Sequence, residues 1–173
     1  IKSVTAGSNV SELAIDNCFT AEYSHYKVYL NNLNSYGFNY YHAKLRDNSG
    51  VKTGTNYIQQ QLAKFGSTGS GGGQGFYYSG YNDSLDYMLY FAGQGNSYQN
   101  TIHGIWDFYM PFESDKFTFL TGQANASNSQ YGIYASHVNI VYPDACNITG
   151  FQITGYTNKI YTGTKLSVYG VPV

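Results

Sequence analysis

Apolar and polar residues alternate along most of this chain with a period of two, as expected of strands with one face buried and the other wet. Within 23–33, Tyr26, Val28 and Leu30 fall on one face, with His25, Lys27, Tyr29 and Asn31 on the other. Within 38–47, Tyr41, Ala43 and Leu45 share a face opposite His42, Lys44 and Arg46. Asn34-Ser35-Tyr36-Gly37 between them reads as a hairpin loop. Closing it would set Leu30 against Tyr41, Val28 against Ala43 and Tyr26 against Leu45. Each apolar residue then meets another, and a one-residue slip would undo every pair. The outward face would gather His25, Lys27, Lys44 and Arg46. Like charges there would need solvent or a neighbouring subunit to neutralise them.

The stretch GIWDFYMPFESDKFTF, residues 104–119, behaves in the same way. Trp106, Phe108, Met110 and Phe112 share one face; Ile105, Asp107 and Tyr109 share the other. The first three of that apolar set are predicted to be mostly buried. Pro111 cannot donate to a sheet ladder, so it belongs at a strand end or edge. Glu113-Ser114-Asp115-Lys116 sits where the chain must reverse, and it reads as a solvated turn rather than a reactive cluster. Phe117 and Phe119 then resume the alternation around Thr118.

Further strands are predicted near 12–17, 75–79, 86–92, 131–142, 148–155 and 160–170. Residues 56–65 are ambiguous, because Ile58, Leu62 and Phe65 also fit helical spacing; their β neighbours favour a strand or an irregular segment. About ten short antiparallel strands at this length predict an all-β fold, an antiparallel two-sheet β-sandwich that is jelly-roll-like. One domain covers 1–173. Its low-complexity stretch GSTGSGGGQG, residues 66–75, reads as an internal loop, because β patterning continues on both sides. That stretch does not meet G-x-G-x-x-G in any register and no helix pattern follows it, which rules out a phosphate cradle.

Composition sharpens this picture. Only 11% of the 173 residues are charged, against roughly 25% in ordinary soluble domains, while 20 Tyr and 10 Phe raise the aromatic share to 18%. Those residues suit pleated, half-buried surfaces, and 20 Gly suit the turns between them. A net charge of -1 gives no footprint for nucleic acid or an anionic membrane. No stretch approaches 18 consecutive apolar residues, so no membrane insertion by a helix is expected. The chain begins at Ile1 without a signal-peptide pattern, as a processed product or a piece of a longer protein would. Cys18 and Cys146 are too few for a disulfide framework or a zinc site. They are either two small buried hydrophobes or one bridge joining terminal strands.

Candidate chemistry is sparse. His25, His42, His103 and His137 lack H-E-x-x-H or comparable ligand spacing, and there is no G-x-S-x-G elbow. Asp16, Asp47, Asp107 and Asp144 are scattered, with no pattern binding two of them to one task. Asp83 and Asp86 have the oxygens to ligate calcium, but they read first as turn formers. The expectation is a protein without catalytic residues, metal or cofactor. A binding surface is predicted after the glycine tract, in FYYSGYND. Tyr77, Tyr78 and Tyr81 offer faces for stacking on sugar rings, and Asn82 and Asp83 add polar partners. Asn96 and Tyr98 would approach from the next loop. The competing reading places these tyrosines in the core or in a subunit interface.

Four segments, SELAIDNCFTAEYSHYKVYLNNL, YYHAKLRDNSG, GIWDFYMPFESDKFTF and ITGFQITGYTNKIYTGTKLSVYG, together resemble a group of structural proteins from tailed bacteriophages. The resemblance is carried by an early Phe-Thr-x-x-Tyr-x-x-Tyr strand, a strand ending in Leu-Arg, an apolar strand ending in Pro before a charged turn, and a Gly-Thr-Lys-Leu-x-x-Tyr-Gly close. It implies a virion surface component: a tail-fibre or appendage domain for host attachment, or a capsid decoration protein. It also implies a homotrimer that meets other virion proteins and, in some cases, a host surface glycan. Long fibrous repeats are absent from this sequence. A carbohydrate-binding module of a secreted protein would share the sandwich and the aromatic surface; a glycan hydrolase would need a carboxylate pair that the sequence does not single out.

Overall fold

The computed structural model describes residues 2–36, 39–52, 57–65, 76–85, 89–93, 99–128, 132–155 and 159–172, with side chains described outside 34–40, 61–100 and 127–134. Every regular element among them is a strand. In chain order these are β1 (Lys2–Thr5), β2 (Glu12–Ile15), β3 (His25–Tyr36), β4 (Asn39–Asp47), β5 (Gly50–Val51), β6 (Tyr57–Phe65) and β7 (Phe76–Leu85). There follow β8 (Leu89–Gly93), β9 (Gln99–Tyr109), β10 (Thr118–Asn128), β11 (Gly132–Tyr142), β12 (Gly150–Gly155) and β13 (Lys165–Gly170). The segment with competing helical spacing is therefore strand β6. Its ladder partners on both sides decide the matter, since a short helix there would leave β7 without a partner and one edge of β11 open.

Two antiparallel sheets pack face to face. The larger runs β1-β13-β3-β9-β10-β11-β6-β7, and the smaller β2-β12-β4, with β5 and β8 both pairing the far edge of β4. Within this order lies a nested series of pairs: β1 with β13, β2 with β12, β3 with β9, and β4 with β8. One long hairpin folded over on itself gives that series, and it is the strand order of a jelly roll. The other strands are insertions. β10 and β11 enter between β9 and β12, β6 and β7 between β4 and β8, and all four extend the larger sheet beyond β9.

The expected hairpin between β3 and β4 does not form. Val28 faces Val168 and Trp106, whereas Ala43 faces Ile153 and Leu89, so the two strands lie in opposite sheets. Their faces nevertheless follow the alternation: Tyr26, Val28 and Leu30 are buried, as are Tyr41, Ala43 and Leu45. The two apolar rows meet across the core rather than side by side. Alternation dictates which face is inside but not which strand lies alongside.

Two local features bend the pattern. The β3–β9 register shifts between Leu30 and Leu33, and Asn32 adopts a left-handed φ of 54°. This bulge lets both Leu30 and Leu33 point inward although they are three residues apart. Thr164 Oγ1 donates to the Asn32 carbonyl at 2.9 Å and pins it. At the end of β9, Met110 also takes a left-handed φ, 56°, and its N–H bonds the Ser24 carbonyl at 2.6 Å. That twist takes Met110 out of the core row, so it is only half-buried, contrary to expectation. Trp106 and Phe108 are buried as expected.

Trp106 is held by two absences of side chain. A Cβ on Gly104 or on Gly122 would overlap the indole, so only glycine lets the ring lie flat on β9 and β10. Phe108 packs on Phe19 and on Phe151 of the smaller sheet, with centroids at 5.1 and 5.6 Å, and this joins the two layers.

Candidate functional site

The outer face of the larger sheet carries a continuous set of exposed aromatic and apolar side chains. The ladders place Tyr109, Phe119, Val141 and Ile58 in one row across β9, β10, β11 and β6. Asp107, Thr121, Asn139 and Gln60 form the next row. Tyr109 is 37% exposed, Phe119 41% and Ile105 40%, high values for residues of this size on regular strands. Seven residues of the two rows, all but Asp107, together with Met110, Leu120 and Ile140 line an open depression of about 660 Å³. Its floor is apolar, and Gln60, Thr121 and Asn139 supply neutral polar groups along one side. Thr121 Oγ1 lies 2.8 Å from Asn139 Oδ1.

Beside the depression lies a charged cluster whose charges cancel within the chain. Asp107 accepts from Lys27 Nζ at 2.8 Å, and His25 Nε2 lies 2.7 Å from the same carboxylate oxygen. Burial works against the charged form of Asp107, but the bonds from Lys27 and His25 outweigh it and hold the carboxyl below its ordinary range. The same bond raises the Lys27 ammonium above its usual value. The His25 imidazole stacks on the Tyr109 ring, centroids 4.6 Å apart and 12° from parallel, and so fixes that ring at the margin of the depression. Farther along the face, Tyr29 and Tyr169 meet edge to face at 5.5 Å.

Arg46 and Lys44 belong to the smaller sheet, so the four cations expected on one outward face divide between two. Arg46 pairs with Asp16 at 2.5 Å and donates to Gln152 Oε1 at 2.5 Å. Lys27 and Arg46 are each paired with a carboxylate of the same chain, Asp107 and Asp16. Asp47 shapes the turn from β4 to β5: it accepts from the Ser49 hydroxyl at 2.6 Å, the Ser49 N–H at 2.8 Å and Lys52 Nζ at 2.9 Å. These bonds, led by the Ser49 hydroxyl, lower its carboxyl to about 2 against the cost of partial burial. Glu113 and Lys116 form an ion pair across the charged turn, which is the solvated reversal that the sequence suggested. Cys18 and Cys146 are free thiols, and burial pushes the Cys18 thiol up to about 12.

The predicted glycan residues lie on an edge strand rather than in a loop. Tyr77, Tyr78, Tyr81, Asn82 and Asp83 belong to β7, where their Cα partners are Lys64, Ala63, Gln60, Gln59 and Ile58. The backbone register therefore brings Tyr81 and Asp83 alongside Gln60 and Ile58, two residues of the depression. Asn96, Tyr98, Asp86 and the glycine tract at 66–75 lie outside the described residues. Sequence reasoning missed Tyr109, Phe119, Val141 and Ile58 as a group. The available signal was that 105–109 is apolar on both faces, with Ile105 and Tyr109 opposite Trp106 and Phe108.

Among the described residues, no group of three or more His, Cys, Asp or Glu is placed to hold a metal ion, and no helix is long and apolar enough to cross a membrane. No family model, curated protein or solved structure matches this chain. Chemically, the described part of the outer face offers aromatic surface, neutral hydrogen-bonding groups and a Lys27–Asp107 ion pair.

Proposed function

We propose that this chain is a non-enzymatic surface module of a tailed-bacteriophage virion. Its place is a tail-fibre or appendage domain for host attachment, or a capsid decoration. It works as a homotrimer in contact with other virion proteins, with its recognition surface toward host glycans. One observation carries this reading: a jelly-roll sandwich enlarged on one side so that a broad sheet face exposes aromatic residues with their neighbouring charges already paired. Such a face recognises by shape and stacking rather than by electrostatic attraction. The resemblance of four segments to phage structural proteins points the same way, whereas the fold alone would suit many functions.

The second reading, a carbohydrate-binding module of a secreted protein, draws on the same aromatic depression. The site on the particle separates the two. Mass spectrometry of purified particles from a phage that encodes this chain should find it as a stoichiometric virion component. Recovery of the chain only from the particle-free medium would favour the secreted module.

A further inference from the structure

Among the described residues, the depression is lined by uncharged side chains only, seven of them apolar and three polar. All ten residues that line it are neutral: Tyr109, Phe119, Ile58 and Val141 among the apolar ones, Gln60, Thr121 and Asn139 among the polar ones. An ionic ligand would lose its hydration there without a compensating charge. A purely apolar ligand would leave the amides of Gln60 and Asn139 without return for their desolvation. The ligand that matches both halves has flat C–H faces and a hydroxylated edge: a neutral sugar ring. Aromatic side chains stack on such faces, and amide groups both donate to and accept from hydroxyls. The volume of about 660 Å³ lies inside the range of roughly 300–1,000 Å³ typical of small-ligand sites and would admit more than one ring.

We infer that the depression across β9, β10, β11 and β6 is a binding site for a neutral oligosaccharide. This rests on the proposed attachment role. Phe119 supplies the stacking surface from the middle of the row, beside the Tyr109 ring held by His25. Gln60, Thr121 and Asn139 bond the hydroxylated edge from the adjoining row. The Lys27–Asp107–His25 cluster stands just outside, and among the described residues the site offers no unpaired cation to sialylated or phosphorylated glycans, which it therefore disfavours. Strand rigidity preorganises the row, because each of these side chains hangs from a ladder paired on both sides.

The test is a glycan array carrying neutral, sialylated and phosphorylated oligosaccharides, followed by titration of the best neutral hit. Wild-type protein should bind neutral glycans in preference to charged ones. Phe119→Ala and Asn139→Ala should each weaken binding by about tenfold or more, the loss expected when a stacking ring or a paired amide is removed. Tyr169→Ala, on the same face but two strands from β9, should leave affinity unchanged. Thermal melts of all three variants should stay close to wild type, since the mutated side chains lie on the exposed face. The inference is overturned by preference for charged glycans, by the absence of any glycan binding, or by equal binding in wild type and both depression variants. It is also overturned if Phe119→Ala dissociates an oligomer, which would make the face a subunit contact. A stoichiometric virion protein that shows no neutral-glycan binding defeats this site while leaving the virion assignment intact. A glycan-binding protein absent from particles does the reverse.

Discussion

Trp106 shows how closely one side chain depends on its neighbours. Its indole is almost wholly buried over Gly104 and Gly122, in a slot made by the missing side chains of both. Trp106→Ala should cost about 3–5 kcal/mol in chemical denaturation, because the slot has rigid strand walls and cannot close on the void. A loss below about 1 kcal/mol would mean that the ring contributes little packing. Asp47 supplies a test by pH. Its carboxyl lies near 2 in the fold against 3.8 unpaired, so folding favours the charged form. That stability is complete above the unfolded value and drains away as pH falls from 3.8 toward 2. The full swing is about 2 kcal/mol, and Asp47→Asn should flatten this part of an acid melting series. An unchanged acid limb in the variant would show that the Ser49 and Lys52 bonds do not persist in solution.

At the scale of strands, legibility divides cleanly. Which residues of β3 and β4 face the core could be read from alternation, because burial on one face is all that a period of two records. Which strand pairs with which could not be. Val28 and Ala43 satisfy the same rule whether they sit side by side or on opposite walls of the core, and a jelly roll chooses the second. The bulge at Asn32 was equally hidden: Leu30 and Leu33 have incompatible parity until one residue adopts a left-handed φ, which Asn tolerates better than most. Met110 was lost for the same reason, since alternation assumes that a strand continues. At the far end of the larger sheet the inward row of β6 includes Gln59 while Ile58 faces out, the opposite of what hydrophobicity alone would choose. That inversion marks the depression. Composition could not reveal it, because it concerns placement rather than content.

At the scale of the whole molecule, the two sheets divide their tasks. The nested pairs of β1 to β4 with β13, β12, β9 and β8 make the sandwich and its core. The insertions β10–β11 and β6–β7 widen that core through Leu120, Ala124, Val138, Ile140 and Tyr57, and they build most of the exposed row on the outer face. Residues 117–143 contain no Asp, Glu, Lys or Arg, so the inserted hairpin of β10 and β11 displays a surface of aromatic, amide and hydroxyl groups. A surface module that assembles on a particle and recognises neutral ligands can use such a face without attracting nucleic acid or anionic lipid. In the proposed function the chain works as an assembled virion trimer. Light scattering on the purified protein, coupled to size exclusion, tests it most directly. The expected result is a single species at three times the 19.2 kDa chain mass, unchanged on dilution. A stable monomer at 19.2 kDa would contradict the claim and leave a solitary binding module in its place.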